Sequence, residues 1–239
     1  MNPTYIGQDN LEVMETAIKY NRYLVQLLHA FPLQKGSTII DFGAGIGTFA
    51  ELLTHEGYKI LCVEPDDSMA NILRQKRLRV VQTIDNIHDN SADYIYTFNV
   101  LEHMDDDRAV LQQLYKKLRP GGNIFVYVPA FQALFSSMDK KVGHIRRYTI
   151  PALEDILVQA GFVIHTINYV DSLGFVATLL YKLLGNKKGN LNNKALIAFD
   201  TYVFPMSLIL DRFFKKAFGK NLYCFATKPD RNTKYLENI

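Results

Sequence analysis

Between the apolar run Ser37-Thr38-Ile39-Ile40-Asp41 and a helix-patterned stretch over residues 48–56, the chain places three glycines in five positions, Gly43-Ala44-Gly45-Ile46-Gly47. Glycine lets a backbone turn tightly and approach a ligand that side chains would obstruct, so the pattern predicts a strand, a nucleotide-contacting turn and a helix. Dinucleotide folds generally use G-x-G-x-x-G, and position 48 here is Thr, which disfavours a pyrophosphate binder. Glu64 follows the next apolar run, 59–63, where a carboxylate can accept hydrogen bonds from both hydroxyls of a ribose. An acid there also repels a cofactor bearing a 2′-phosphate.

The alternation continues beyond this unit. Further strands are expected at 79–82, 94–98, 123–129, 162–170 and 220–227, with helices at 68–76, 106–118 and 151–160 among them. Strands alternating with helices imply a doubly wound α/β fold, a mostly parallel sheet with helices on both faces and right-handed crossovers. Apolar residues at helical spacing over 11–31, stopped by Pro32, predict one helix within an N-terminal helical cap over 1–35. The 239 residues fit a single domain.

With 48% hydrophobic and 21% charged residues, the composition excludes a disordered or collagen-like chain. The net charge of +3 and the short cluster Lys140-Lys141 with Arg146-Arg147 offer no basic patch for nucleic acid. Cys62 and Cys224 lie in apolar runs without metal-ligand spacing and are expected to be buried free thiols. Asp105-Asp106-Asp107 and Asp66-Asp67-Ser68 stand at helix starts, where acids meet the amide-rich end, so capping is expected and no metal. The opening Met1-Asn2-Pro3-Thr4-Tyr5 lacks a basic region followed by an apolar stretch, which predicts no secretory leader and a cytoplasmic location.

Four motifs now stand in order: Ile39-Ile40-Asp41-Phe42-Gly43-Ala44-Gly45-Ile46-Gly47, Val63-Glu64-Pro65-Asp66, Asn99-Val100-Leu101-Glu102-His103 and Leu118-Arg119-Pro120-Gly121-Gly122. Together they resemble the class I S-adenosylmethionine-dependent methyltransferases, and the stretch from Asp139 to Thr149 is similar to a bacterial branch of that family. The resemblance implies a seven-stranded sheet whose last strand is antiparallel, with S-adenosylmethionine across the carboxyl ends of the first, second and fourth strands. It places Asp41, Gly43, Ala44, Gly45 and Gly47 at the methionine portion, Glu64 at the ribose, Asp85 near the adenine and Asn99 beneath the sulfonium, with Pro65 among the cofactor-binding residues.

Methyl transfer is an in-line displacement needing a general base only where the acceptor must lose a proton. His103 and His144 are the candidate catalytic bases; Arg147 and Tyr148, beside His144, and Tyr23, on the N-terminal helix, are the candidate acceptor contacts. The acceptor is expected to be a small molecule or lipid-like.

Residues 172–219, rich in Leu, Phe and Tyr, depart from the short hairpin usual in that family before the last strand. Asp200, Pro205 and Asp211 interrupt the apolar stretch 195–214, and 173–184 is too short for a bilayer of roughly 30 Å. Two amphipathic helices around the polar loop Asn186-Lys187-Lys188-Gly189-Asn190 are expected instead. Three uses stay open: a lid for a lipid-like acceptor, peripheral membrane contact aided by Lys215, Lys216 and Lys220, or a homodimer face. Two other function classes also remain at this level, a nicotinamide-dependent oxidoreductase and a non-catalytic nucleotide-binding or membrane-adaptor protein.

Overall fold

The computed structural model describes residues 8–30, 33–184 and 193–230; Pro32 and the polar loop 186–190 lie outside the described residues. Its elements are α1 (Gln8–Glu15), α2 (Ile18–His29), β1 (Ile39–Phe42), α3 (Thr48–His55), β2 (Ile60–Val63), α4 (Asp67–Gln75), β3 (Arg79–Val81) and β4 (Ala92–Phe98). There follow α5 (Asp107–Lys117), β5 (Leu118–Pro129), α6 (Ser137–Val142), α7 (Ile150–Gln159), β6 (Val163–Val170), α8 (Ser172–Leu184), α9 (Asn193–Ala198), α10 (Phe204–Phe214) and β7 (Asn221–Thr227).

The strands form one sheet in the order β3-β2-β1-β4-β5-β7-β6. Only β7 is antiparallel to its neighbours, β5 and β6, so the other six strands end on one carboxyl edge. The order reverses between β1 and β4, the switch point at which doubly wound sheets bind ligands. Helices cover both faces. Leu24, Leu28, Ala50, Leu53 and Leu73 from α2, α3 and α4 pack one side, and Leu111, Leu114, Leu153, Ile156 and Leu157 from α5 and α7 pack the other. Cys62 and Cys224 are buried free thiols, as their apolar runs predict.

One aspartate of each acidic cluster caps its helix. Asp66 accepts from the Ser68 and Met69 amides and Asp106 from that of Ala109, giving orphan N–H groups the acceptors they need. Asp107 instead takes hydrogen bonds from Arg146 and Tyr148.

The N-terminal segment departs from the single helix expected over 11–31. It breaks at Thr16 and Ala17, where the Thr16 hydroxyl donates to the Val13 carbonyl and Asn21 Nδ2 reaches back to the Met14 carbonyl. The opened start of α2 is capped from far along the chain, as the Asp200 carboxylate accepts from the Lys19 and Tyr20 amides at 3.0 and 2.8 Å. Between β6 and β7 the chain forms α8, α9, a single π turn at Phe199–Val203, and α10. Among the described residues no helix is long and apolar enough to cross a membrane.

The other acid of this segment also serves the backbone. Asp211, on α10, accepts from the Asp171 and Ser172 amides at 2.8 and 2.9 Å, fastening the start of α8. Asp211→Ala would leave these buried donors unsatisfied, and we expect a loss of about 1–3 kcal/mol in urea denaturation. Asp211→Asn, which keeps one acceptor oxygen, should lose less; equal stability of all three proteins would dismiss the cap.

Candidate functional site

The glycine turn is fastened to its neighbouring strand before any ligand is considered. The Gly43 and Ala44 amides donate to the Val63 carbonyl, and the Gly45 amide donates to Glu64 Oε2 at 2.7 Å. Gly43 and Gly47 have φ of +77° and +83°, and a Cβ on Gly43 would stand 2.3 Å from a Val100 methyl carbon. Gly47 is the left-handed residue that opens α3. A Cβ added to Gly45 would stand 3.5 Å from the Leu11 side chain, so α1 lies over the turn. Glu15 holds that cover in place through Thr48 and Lys76.

Glu64 is buried, with Oε1 accepting from the Asp66 amide at 2.9 Å and Oε2 from Gly45. Each oxygen keeps a second lone pair for another donor. Burial raises its pKa against the pull of those two amides. Asp41, at the end of β1, is also buried, and burial together with the nearby Glu64 charge pushes its pKa up to about 8. Two desolvated acids this close favour a cation, because positive charge relieves both the desolvation and the mutual repulsion.

The other expected cofactor residues lie along the same carboxyl edge. Pro65 is exposed at the end of β2, and Asp85 is exposed in the 3₁₀ turn after β3, its amide bonded to the Thr83 hydroxyl. Asn99 follows β4, exposed, and its neighbour Val100 packs on Gly43. Asn99, Phe131 and Asp171, just beyond β4, β5 and β6, have φ of 52°, 60° and 62°, a conformation side chains rarely adopt. Backbone strain of this kind gathers where surrounding structure enforces a functional geometry.

His103 and His144 meet at the β4 and β5 end of the edge, with ring centroids 4.7 Å apart. His144 Nδ1 lies 2.8 Å from Asp139 Oδ1, and its Nε2 lies 3.6 Å from Glu102. Burial and the adjoining His144 lower the His103 pKa to about 4, and His103 Nδ1 faces the Gly143 carbonyl at 3.3 Å. Glu102 is fully buried; burial pushes its pKa up to about 8, and neither of its oxygens accepts a hydrogen bond among the described residues. Glu102, His103 and His144 bring potential metal-ligand atoms within 4.8 Å of one another.

Arg147 and Tyr148 both carry the loop that presents His144. Arg147 grips Asp139 through Nε and one terminal nitrogen at 2.8 and 3.0 Å and donates to the Ala130 carbonyl. Burial would raise the Asp139 pKa, but its bonds from His144 and Arg147 outweigh it and hold that carboxyl well below the ordinary range. Tyr148 is buried, its hydroxyl tied to the Leu101 carbonyl and to Asp107. Tyr23 packs edge-on against Phe204 of α10, under the segment between β6 and β7.

Two features went unread in the sequence. Asp139 lies in α6, a helix taken for loop although Ser136 and Asp139 form a capping box, the S-x-x-D signal of a helix start. Asp171 and Lys220 line a small cleft with Met14, Tyr20, Phe199 and Phe204, between the N-terminal helices and the segment over 172–219. Burial lowers the Lys220 pKa and raises that of Asp171, each opposed by the other's charge. No local pattern links positions 171 and 220.

A methyltransferase-domain family matches residues 16–167. The chain is 25% identical over 146 residues to a probable S-adenosylmethionine-dependent methyltransferase of Mycolicibacterium smegmatis, covering 58% of this chain and 55% of that protein. It is 28% identical over 102 residues to phosphoethanolamine N-methyltransferase 2 of Caenorhabditis elegans, covering 38% and 23%. The chain thus spans about half or less of the length of these relatives. Its fold superposes on a Thermotoga maritima S-adenosylmethionine-dependent methyltransferase with a TM-score of 0.60 at 18% identity, covering 93% of this chain and 98% of the other.

The buried Asp41 has a measurable signature. Its folded pKa near 8 lies above the ordinary 3.8, so its contribution to stability is complete below about pH 4 and is lost as pH rises toward 8. Asp41→Asn never ionises. In thermal melts without ligand the variant should match the wild type near pH 4 and exceed it by on the order of a few kcal/mol at pH 8. A difference that does not change with pH would remove the buried charge from the account.

Proposed function

The chain belongs to the class I S-adenosylmethionine-dependent methyltransferases, and we propose that it binds S-adenosylmethionine along the carboxyl edge and transfers the methyl group to a small or lipid-linked acceptor. The family match leaves no ground for the nicotinamide-dependent reading. The observation that carries the proposal is the pair of buried acids, Asp41 at the end of β1 and Glu64 fastened to the glycine turn.

These residues fit the group. The remaining lone pairs of Glu64 suit two ribose hydroxyls, and the carboxyl of Asp41 suits a cationic amino-acid portion approached by the bare backbone of Gly43 and Gly45. When bound, S-adenosylmethionine supplies an electrophilic methyl on a cationic sulfur whose charge disappears on transfer. The chain's own part is to position and to exclude water. Helix α1 covers the glycine turn, and a dry site favours loss of charge.

The acceptor's place in this reading is the cleft lined by Tyr20, Asp171, Phe204 and Lys220. Its ionic end and aromatic wall suit a compact polar head, free or attached to a lipid. His144 is the base for an acceptor that must lose a proton. The nitrogen facing Asp139 carries its hydrogen toward that carboxylate, and Nε2, the nitrogen left to accept, stands 3.6 Å from the buried Glu102. His103, neutral above about pH 4, shapes the wall beside it.

Calorimetry with S-adenosylmethionine and with S-adenosylhomocysteine should give saturable binding of both. Glu64→Ala should weaken each at least tenfold, about 1.4 kcal/mol. Well-folded protein that binds neither ligand would end the proposal, whereas binding without release of S-adenosylhomocysteine in a cell extract would leave a non-catalytic binder.

A further inference from the structure

Residues 172–219 carry seven Lys or Arg and two Asp, a formal charge of +5, whereas the whole chain is +3. All of the protein's net positive charge therefore resides in this segment, and the rest of the chain is −2. The two acids do not offset it at the surface, because Asp200 and Asp211 are buried and bound to backbone amides of α2 and α8. Lys182, Lys194, Arg212, Lys215 and Lys216 are exposed.

Between these cations the segment exposes large apolar side chains at helical spacing. On α8 they are Val176, Leu180 and Leu183; along the π turn and α10 they are Tyr202, Met206, Ile209 and Phe213. Leu183, Tyr202 and Phe213 are 71%, 73% and 78% exposed, a degree that a solvent-facing helix in a monomer does not call for at three large positions. Helices α8 and α10 pack on each other, so their outer stripes lie on neighbouring rods. Apolar stripes flanked by Lys and Arg, with no exposed acid, are the composition of helices that lie in the plane of a lipid surface.

We propose that the outer face of α8 and α10 docks this protein on an anionic lipid surface, with Ile209 and Phe213 entering the acyl boundary and Arg212 and Lys215 meeting lipid phosphates. Charge decides for this occupant over a second copy of the chain, since two such faces brought together would bury like charges against each other. Helix α8 starts at the carboxyl end of β6, and Phe199 and Phe204 of the same segment line the cleft, so docking would bring a lipid-borne acceptor to the side of the protein where the glycine turn lies.

The test is co-sedimentation of the full chain with vesicles of phosphatidylcholine alone or with about 30 mol% phosphatidylglycerol. Expected are at least tenfold stronger partitioning onto the anionic vesicles and its loss in about 0.5 M salt. Ile209→Ser with Phe213→Ser, and separately Arg212→Glu with Lys215→Glu, should each reduce binding at least tenfold while the circular dichroism stays unchanged. The proposal fails if the chain remains in the supernatant, binds both vesicle types equally, or binds regardless of these substitutions. It fails too if Phe213→Ser merely converts a dimer to a monomer. Calorimetry with S-adenosylmethionine on the same variants separates failure of docking from failure of the methyl-transfer reading.

Discussion

The hydrogen bond from the Gly45 amide to the Glu64 carboxylate governs how the carboxyl edge is built. It joins the turn after β1 to the end of β2, so the glycine turn is held by an acid that must itself be buried to reach it. Burial raises the energy of that acid's charged form, the neighbouring Asp66 raises it further, and the Glu64 charge in turn raises the pKa of Asp41. A protein that keeps two such carboxyls at a ligand-binding switch point holds a site biased toward donors and cations. The family's cofactor carries both.

Around that bond the edge is paved by enforced backbone. Gly43 tolerates its positive φ and leaves room for Val100, while Asn99, Phe131 and Asp171 adopt similar angles despite carrying side chains. Phe131 is held by stacking on Tyr169 and an edge contact with Phe175, and Asp171 by its bonds to Gly174 and Ser207. The strain is thus borne by packing between the sheet and the segment over 172–219, which makes that segment part of the edge and not an appendage to it.

The strands were legible because each signal was local: a short apolar run bounded by Gly, Pro or a capping acid. All seven, and the helices between 48 and 160 other than α6, fall near their expected places, with the largest strand shift at β5, which begins at Leu118 and runs through the motif read as a turn before 123. The break between α1 and α2 was not legible, because the carboxylate that caps α2 sits at Asp200, about 180 residues further along. His103 and His144 could be named as candidates from their motifs, but the pairing of His144 with Asp139 and Glu102 depends on how the loop after α6 folds back on the turn after β4, where the Ile145 amide donates to the Glu102 carbonyl. Arg147 and Tyr148 show the converse limit. Their residue types suit a ligand, yet each spends its polar atoms on Asp139, Asp107 and backbone carbonyls that fix the loop.

The two aspartates of the segment over 172–219 join its inner and outer faces into one design. A helix start needs acceptors for its first amides, and a carboxylate is the strongest available from a side chain. Asp200 and Asp211 supply them to α2 and α8, and in doing so they are withdrawn from the surface. The same substitution pattern that fastens the segment to the sheet therefore leaves its exterior with cations alone. Interrupting an apolar stretch with two acids excludes a membrane span by sequence; burying both as caps restores an exterior whose charge and apolar stripes suit the membrane's surface.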